Sequence, residues 1–357
     1  MGDRPTIYDV ARAAGVAAST VSRAYARPGR VNSETARAIF EAAERIGYRS
    51  SRITGSIGPR TGAVALTISD ITNPFYNEII KGASEAAQVA GYALLLADTS
   101  ESGHIEREAV ERTLDLVEGV LLTSSRMSDS AIRMIAKQKP VVLLNRQMPD
   151  ISCITIDNPR GVRRAAEHLG ALGHRTITYV AGPQASWTDG VRWRALREAA
   201  HELELRVQRI DPADAPTVTT GFRIAQRLAD EDATAVLAFN DALAVGVMKG
   251  LRRRGLDVPG DVSVVGFDNV LLGEVVEPPL TTVTAPMRKA GAAGVGNVMA
   301  LAGGATADGT TLVLPVELVV RGSTAQRSRK STSPASRTTK VSPSAAQAST
   351  STDAGSR

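Results

Sequence analysis

The chain of 357 residues has one cysteine and four histidines. The scarcity of these two residue types argues against a disulfide-stabilised protein and against a metal-binding protein. Its single cysteine, Cys153, cannot form an internal disulfide, and we expect it to be a small buried apolar group rather than a reactive thiol. The histidines lack the spacing of a metal site. No run of eighteen apolar residues occurs, so we expect no membrane partner.

Sequence motifs of catalysis are also missing. The chain has no Gly-x-x-x-x-Gly-Lys-Ser/Thr loop for phosphate and no Gly-x-Ser-x-Gly turn for a nucleophile. Gly294-Val-Gly296 lacks the third glycine of a dinucleotide-binding loop, and it lies in a predicted helix where close packing explains it better. His168 and His174 lie near a predicted helix end, which favours structural hydrogen bonds. We therefore expect no enzyme activity, no cofactor and no metal.

Positive charge is concentrated at the two ends of the chain. Residues 1–60 contain 10 Lys and Arg against 5 Asp and Glu, residues 61–323 contain 26 against 31, and residues 324–357 contain 6 against 1. Basic ends on a slightly acidic body are the electrostatic footprint of a DNA-binding protein. A solvated helical domain with surplus arginines would show the same balance, so charge alone does not decide.

Apolar spacing in the first fifty residues predicts two short helices, Thr6 to Ala14 and Ala18 to Tyr25, joined by a tight turn at Gly15. Thr6 and Asp9 form a variant of the capping box, and glycine ends the first helix because it enters the left-handed conformation at little cost. A third helix begins at Asn32, a favoured cap. The pattern is a helix-turn-helix, so double-stranded DNA is the first partner to consider.

From Gly62 onward, short apolar runs alternate with helical stretches. This alternation is typical of βαβ units and a parallel sheet, and a second series starts near Ile177, so we expect two similar α/β lobes. The runs are Ala63–Ile68, Ala93–Ala97, Val117–Leu122, Val141–Leu144, Ile177–Val180, Ala235–Phe239 and Val262–Phe267.

Polar residues follow several of these runs. Parallel sheets bind ligands beyond the carboxyl ends of their strands, so these residues are candidates for ligand contact. Planar amide and carboxylate groups beside an aromatic face suit a sugar or another small polar metabolite. The candidates are Asp70, Asn145, Asp157, Asn240 and Asp268.

Two groups of short sequence motifs follow one another along the chain. The first comprises Thr6-Ile-Tyr-Asp-Val-Ala-Arg-Ala-Ala-Gly-Val16, Ser19-Thr-Val-Ser-Arg23, Val31 to Thr35 and Gly47-Tyr-Arg49. The second comprises Asp70-Ile-Thr-Asn-Pro-Phe75, Ile156-Asp-Asn158, His168-Leu-Gly-Ala-Leu-Gly-His174, Phe239-Asn-Asp241 and Val265-Gly-Phe-Asp268. From about Thr6 to Ser323, this ordered series resembles the LacI/GalR family of bacterial transcription regulators.

The resemblance implies a small all-α helix-turn-helix headpiece at 1–49 and a hinge at 50–62. It also implies an α/β core at 63–323 of two parallel-sheet, Rossmann-like lobes, as in periplasmic binding proteins. Residues that match the family's effector cleft are Phe75, Tyr76, Arg192, Asn240 and Asp268, with Asn145 and Asp157 as weaker matches. Thr188 and Trp187 precede Arg192 on an expected loop near the ligand; Trp187 fits a loop anchor equally well, and Trp193 fits core packing.

In a helix-turn-helix, the second helix lies in the major groove with its first residues at base edges. Ala18, Ser19 and Arg23 are the candidates for base contact, because arginine can grip guanine at two atoms and alanine offers a methyl group. Phosphate contacts are expected from Thr6, Thr20 and Ser22. Ala17 stands where the family has serine, which weakens the cap of this helix by about 1 kcal/mol.

In this family a short hinge helix forms on operator DNA and inserts a leucine into the minor groove. Ile57 matches that leucine. Gly55 and Gly58-Pro59 interrupt the segment, so we expect it to be disordered without DNA, and a plain flexible linker is the alternative.

Residues 324–357 are rich in Ser, Thr and Ala and are expected to be disordered. They stand where some relatives have a tetramer-forming helix, so the resemblance implies a dimer that reads a roughly palindromic site. The tail either adds nonspecific attraction for DNA or has no role.

These features predict a transcription regulator, most simply a repressor, whose DNA affinity is controlled by a small polar effector, with carbohydrate as the first class to consider. Either induction or corepression fits. The N-terminus, Met-Gly-Asp-Arg-Pro, lacks the apolar run of a signal peptide, so we expect a cytoplasmic, nucleoid-associated protein. A periplasmic sugar-binding protein is the alternative, and the headpiece argues against it.

Overall fold

The computed structural model describes residues 6–26, 31–46, 62–307 and 309–327. Its helices are α1 (Ile7–Ala14), α2 (Ala18–Ala26), α3 (Ser33–Arg45), α4 (Phe75–Val89), α5 (Gly103–Thr113), α6 (Asp129–Ala136), α7 (Asn158–Ala171), α8 (Trp187–Glu202), α9 (Val218–Asp230), α10 (Asp241–Arg253), α11 (Leu271–Val275) and α12 (Met287–Ala302). Its strands are β1 (Ala63–Ile68), β2 (Ala93–Asp98), β3 (Val120–Thr123), β4 (Val141–Leu144), β5 (Ser152–Ile156), β6 (Thr176–Val180), β7 (Arg206–Ile210), β8 (Ala235–Ala238), β9 (Ser263–Phe267), β10 (Thr281–Thr284), β11 (Thr311–Leu314) and β12 (Glu317–Val319).

Helices α1, α2 and α3 form the predicted headpiece around a small core. The Asp9 carboxylate accepts hydrogen bonds from the Thr6 backbone N–H at 2.8 Å and from its hydroxyl at 2.6 Å, which fixes the start of α1. Gly15 ends α1 with φ 65°, in the left-handed region. Val10, Val21 and Ile39 are completely buried where the three helices meet. The helix-turn-helix prediction is confirmed.

Each lobe of the body contains one six-stranded sheet. The first sheet has the order β11-β5-β4-β3-β1-β2 and is parallel throughout. The second has the order β12-β10-β9-β8-β6-β7, and only β12 runs antiparallel, against β10. Central strands such as β3, β4 and β8 are buried along their whole length, which explains their unbroken apolar sequences. The prediction of two parallel-sheet lobes is confirmed.

The chain passes between the lobes three times: after β5, after β10 and after β11. Helix α12 therefore packs in the first lobe, against α4, although it follows the second lobe in sequence. The two helices approach closely because Gly82 and Gly291 leave room for backbone: an added Cβ would lie 1.9 Å from the Arg288 carbonyl oxygen and 2.1 Å from that of Ile79, respectively.

Four residues beyond the expected end of the body, 324–327, contact the second lobe. The Thr324 hydroxyl and the His168 Nε2 lie 2.9 Å apart, the Ala325 N–H donates to Ser263 Oγ at 3.1 Å, and the Arg327 N–H donates to the Leu172 carbonyl at 2.8 Å. Residues 324–327 are thus part of the second lobe rather than of the tail.

The described residues do not include Ile57, the hinge residues 50–61 or the tail residues 328–357. The expected minor-groove contact, hinge and disordered tail therefore stay predictions. Across the described ranges, no helix is both long and apolar enough to cross a bilayer.

Candidate functional site

The carboxyl ends of both sheets line one cleft between the lobes. Ser124 and Asn145 follow β3 and β4 in the first lobe, and Phe239 and Asp268 follow β8 and β9 in the second. The cavity that they enclose has a volume of about 20 Å³, which suffices for about one water molecule, whereas ligand pockets measure roughly 300–1,000 Å³. The cleft is closed on its own side chains, so a ligand requires the lobes or the side chains to move. The complete lining is Asn73, Phe75, Tyr76, Glu101, Ser124, Arg126, Asn145, Ser186, Thr188, Arg192, Pro216, Phe239 and Asp268.

Arg192 is held in the cleft by hydrogen bonds and by stacking. It is 2% exposed, and its Nε donates to Asn158 Oδ1 at 2.9 Å while Nη1 donates to the Phe239 carbonyl. Its guanidinium carbon lies 3.4 Å from the centroid of the Phe267 ring, so the planar group is stacked as well as hydrogen bonded. Burial lowers the pKa of Arg192, and the nearby Asp268 carboxylate opposes that shift.

Asp268 faces Arg192 from a strained loop. Its φ is 114°, and its Oδ1 lies 3.8 Å from Arg192 Nη2, too far for a hydrogen bond. Burial raises the pKa of Asp268 well above its usual value, Arg192 lowers it, and the neighbouring Asp241 raises it further. Among the described residues, the nearest cationic nitrogen to this carboxyl group is therefore beyond hydrogen-bond distance.

Asp241 positions the loop that carries Asp268. Its Oδ2 accepts the backbone N–H of Val270 at 2.9 Å, and its Oδ1 accepts the Thr282 hydroxyl at 2.5 Å. The side chain is buried at the first turn of α10, and burial raises its pKa to about 7.

The first lobe contributes an amide without a complete set of partners. Asn145 has φ 64° and is 4% exposed, and its Oδ1 is one of two buried side-chain atoms in the described residues that lack a hydrogen-bond partner. Its backbone carbonyl accepts the Thr188 hydroxyl at 3.0 Å, which links the lobes directly.

The aromatic rings of Phe75 and Tyr76 meet edge to face in the same lobe. Burial raises the pKa of Tyr76 to about 12, which keeps its phenol neutral.

An ion pair that sequence reasoning missed also lines the cleft. Arg126 Nε and Nη2 both lie 2.7 Å from Glu101 Oε2, and Arg126 Nη1 donates to the Ser124 carbonyl at 2.8 Å. The side chains are 4% and 16% exposed, respectively. Each residue lies three positions beyond the end of its strand, so a search of the residues directly after apolar runs did not reach them.

Six of the eight predicted effector residues line the cavity: Phe75, Tyr76, Asn145, Thr188, Arg192 and Asp268. Asp157 and Asn240 cap α7 and α10 instead, accepting backbone N–H groups at 3.1 and 2.9 Å.

Trp187 and Thr188 lie on the first turn of α8 rather than on a loop, because Ser186 caps that helix at the Asp189 N–H. Thr188 reaches the cavity and Trp187 does not line it. Trp193 stacks on Tyr179 at 5.9 Å, in the packing role expected for it.

The headpiece presents its predicted DNA contacts to solvent. Thr6, Ser19, Ser22 and Arg23 are exposed, and Ala18 and Thr20 are half-buried. The Ala17 side chain has no acceptor atom and cannot cap α2. Its backbone carbonyl accepts the Thr20 N–H at 2.8 Å. Tyr8, an aromatic residue that the sequence analysis did not select, is 69% exposed on α1.

Among the described residues, no group of three or more His, Cys, Asp and Glu side chains is placed to hold a metal ion. Comparison with known families matches residues 6–51 to bacterial regulatory proteins of the lacI family, and residues 166–324 to a periplasmic binding protein-like domain.

Relatives match over most of the chain. The HTH-type transcriptional regulator DegA of Bacillus subtilis is 33% identical over 90% of this chain and 98% of its own length. The HTH-type transcriptional repressor CytR of Escherichia coli K12 is 30% identical over 89% of this chain and 96% of its own. Among solved structures, the lac repressor dimer bound to operator and the anti-inducer ONPF has a TM-score of 0.76 at 26% identity, over 90% of this chain and 100% of that chain. A complex of the transcriptional regulator CelR with cellobiose has a TM-score of 0.67 at 31% identity, over 90% and 100%.

Proposed function

Because the chain belongs to the LacI family of bacterial regulatory proteins, and is a transcription regulator rather than an enzyme, we propose that it binds a palindromic operator as a homodimer under the control of a small hydroxyl-rich metabolite. The observation that carries this proposal is the combination, in one chain, of an exposed recognition helix with a buried cleft that holds an unpartnered acceptor, Asn145 Oδ1. A sugar-binding protein without a regulatory role needs no headpiece, which disfavours that alternative.

The DNA-binding part of the proposal rests on α2. Ser19 and Arg23 are exposed on this helix, where arginine can bind guanine through two atoms. We propose that Thr6, Thr20 and Ser22 contact phosphate, which fixes orientation but carries little sequence information. Ala18 offers a methyl contact, and Ile57 is proposed as the minor-groove wedge. Action on DNA places the protein in the cytoplasm.

The effector part rests on the chemistry of the cleft. Arg192 supplies donors, Asp268 and Asn145 supply acceptors, and Phe75 supplies an apolar ring, a set that suits a sugar with both hydroxyl groups and a C–H face. The CelR structure contains cellobiose, a ligand of the same chemical kind.

Dimerisation is proposed through the face that contains α4 and α11. A groove of about 1,060 Å³ lies there, and Val89 and Leu271 beside it are 91% and 71% exposed. Apolar side chains so exposed are typical of a protein interface, and a second copy is the proposed occupant, as in the lac repressor dimer. Phe75 and Asp268 line both this groove and the effector cavity, so movement in the cleft reaches the dimer face directly.

Selection of DNA from a random pool by the full-length protein tests the DNA-binding proposal. We expect a palindromic site, and we expect Arg23→Ala to weaken binding to that site about 10- to 100-fold while affinity for random DNA changes little. Arg107→Ala, which removes an exposed arginine from α5 in the body, is the control for loss of charge. Equal losses on selected and random DNA would make Arg23 a phosphate contact, and enrichment of no site would contradict the proposed function.

A further inference from the structure

We propose that the interlobe cleft selects an uncharged, hydroxyl-rich ligand and rejects phosphorylated and acidic ones, because both cationic side chains that line it already face a carboxylate. This inference rests on the proposed function, since it assigns the ligand class of the same cleft.

Each side-chain nitrogen of the first cation, Arg126, already has an acceptor within hydrogen-bond distance. Glu101 occupies its Nε and Nη2 at 2.7 Å, and the Ser124 carbonyl occupies Nη1 at 2.8 Å. With Arg126 4% exposed and Glu101 16% exposed, little water competes for the pair. An anionic ligand would have to displace the Glu101 carboxylate in order to reach this charge.

The second cation, Arg192, faces Asp268 at 3.8 Å, and both side chains are at least nine-tenths buried. Its remaining contacts, to Asn158 and to the Phe239 carbonyl, hold the guanidinium in place. With both carboxyl groups ionised, Glu101 and Asp268 balance Arg126 and Arg192, so the formal charges of the cavity lining sum to zero.

Two acceptors in the described lining of the cleft lack a close donor: Asn145 Oδ1 and the Asp268 carboxyl group. Asn145 Oδ1 has no hydrogen bond, and the nearest cation to the Asp268 carboxyl lies beyond hydrogen-bond distance. Burying an acceptor without a donor is costly, so a ligand gains most by presenting donors to these two groups. Hydroxyl groups donate, whereas a carboxylate or a fully ionised phosphate only accepts.

A phosphate group carries a charge of about −1.5 to −2 at pH 7. In this cleft each cation already faces a carboxyl group, and the phosphate would lie near the Asp268 carboxylate, so both desolvation and repulsion oppose its binding. A neutral sugar or nucleoside avoids both costs, and it donates to the same acceptors.

Calorimetric titration of the full-length protein with matched probes tests this inference. Each set contains a neutral compound and its charged forms: glucose with glucose 6-phosphate and glucuronate, ribose with ribose 5-phosphate, cellobiose with cellobionate, and adenosine and cytidine with their monophosphates. In any set that binds, we expect the charged member to bind at least about tenfold more weakly, which corresponds to about 1.4 kcal/mol. The sugar and nucleoside sets distinguish the two sources of a neutral hydroxyl-rich ligand.

The variant Glu101→Gln leaves the Arg126 charge without its partner. For the set that binds, we expect the ratio of phosphate to neutral affinity to rise about tenfold. Glu111→Gln makes the same change of charge in the exposed Arg107–Glu111 pair and should leave the ratio unchanged. Glu101→Asp keeps the negative charge and should keep the wild-type ratio, which separates selection by charge from loss of structure.

The outcomes are distinguishable. Tighter binding of a charged member to the wild type, if abolished in Asp268→Ala, overturns the inference and leaves an effector cleft in place. An unchanged ratio in a folded Glu101→Gln overturns the role of the Glu101–Arg126 pair. Absence of binding by every probe overturns both this inference and the proposed effector class, and selection of operator DNA then shows whether the DNA-binding part survives.

Discussion

Asp241 shows how one buried side chain can set the shape of a binding cleft that it does not line. Its carboxyl oxygens bind Val270 and Thr282 on either side of the loop that carries Asp268. Desolvation of this carboxyl group opposes its ionisation and raises its pKa to about 7. Stability should therefore depend on the protonation of Asp241.

The variant Asp241→Asn tests this dependence. The folded protein holds a proton on Asp241 between about pH 4 and pH 7 that the unfolded chain has released, so the free energy of unfolding falls as pH rises through that window. We expect the free energy of unfolding to fall more steeply with pH in the wild type than in Asp241→Asn, by up to about 1.4 kcal/mol per pH unit. Denaturant unfolding of both proteins at a series of pH values measures the difference.

The other buried carboxyls, Glu106 and Asp268, remain in both proteins, so their titration contributes to each curve. Asp214→Asn removes an exposed carboxylate and controls for the loss of one negative charge. Parallel curves for the wild type and Asp241→Asn would contradict the raised pKa of Asp241.

Two helix pairs depend on glycine for their spacing. Gly82 and Gly291 allow close contact of α4 with α12. Gly221 and Gly246 do the same for α9 and α10, where a Cβ added at either glycine would lie 2.1 Å from a backbone oxygen. The α4–α12 contact includes residues of the proposed dimer face, so its geometry matters beyond stability.

Two alanine substitutions in α12 provide a direct comparison. Gly291→Ala places a methyl group 2.1 Å from the Ile79 carbonyl oxygen and should destabilise the protein by about 1–3 kcal/mol, because two backbones must separate. Gly296 is exposed, and a methyl group added there meets nothing within 4 Å. Gly296→Ala should therefore stabilise the protein by about 0.5–1 kcal/mol, because alanine has the higher helix propensity. Denaturant midpoints of the two variants measure both effects, and equal shifts would contradict the close approach.

Strand prediction succeeded where the sequence contains an unbroken apolar run and failed where polar residues interrupt the strand or the strand is short and exposed. The apolar runs of β1, β4 and β8 were predicted to within one residue. Five strands were not predicted from the sequence: β5, β7, β10, β11 and β12. The first three interrupt their apolar residues with serine, threonine, arginine or glutamine, and β11 and β12 are short and partly exposed. Glu101 and Arg126 escaped for a related reason, since their positions depend on loop paths beyond the strand ends.

The two lobes cannot be assigned to two continuous halves of the chain. Helix α12 and β11 return to the first lobe, and β12 returns to the second, so three segments connect the lobes. Such returns are set by long-range packing, which local sequence patterns do not encode. The arrangement suits an allosteric protein, because a change of angle between the lobes moves all three connections together.

The effect of a cleft ligand on DNA affinity tests the central claim most directly. The full-length protein is titrated onto its selected operator at one fixed salt concentration, with and without a saturating neutral sugar or nucleoside found by calorimetry. We predict a change in affinity of about 5- to 150-fold, an inducer weakening binding and a corepressor strengthening it, and no change in Asp268→Ala. An operator affinity that the bound ligand leaves unaltered in the wild type would contradict the coupling of cleft and headpiece.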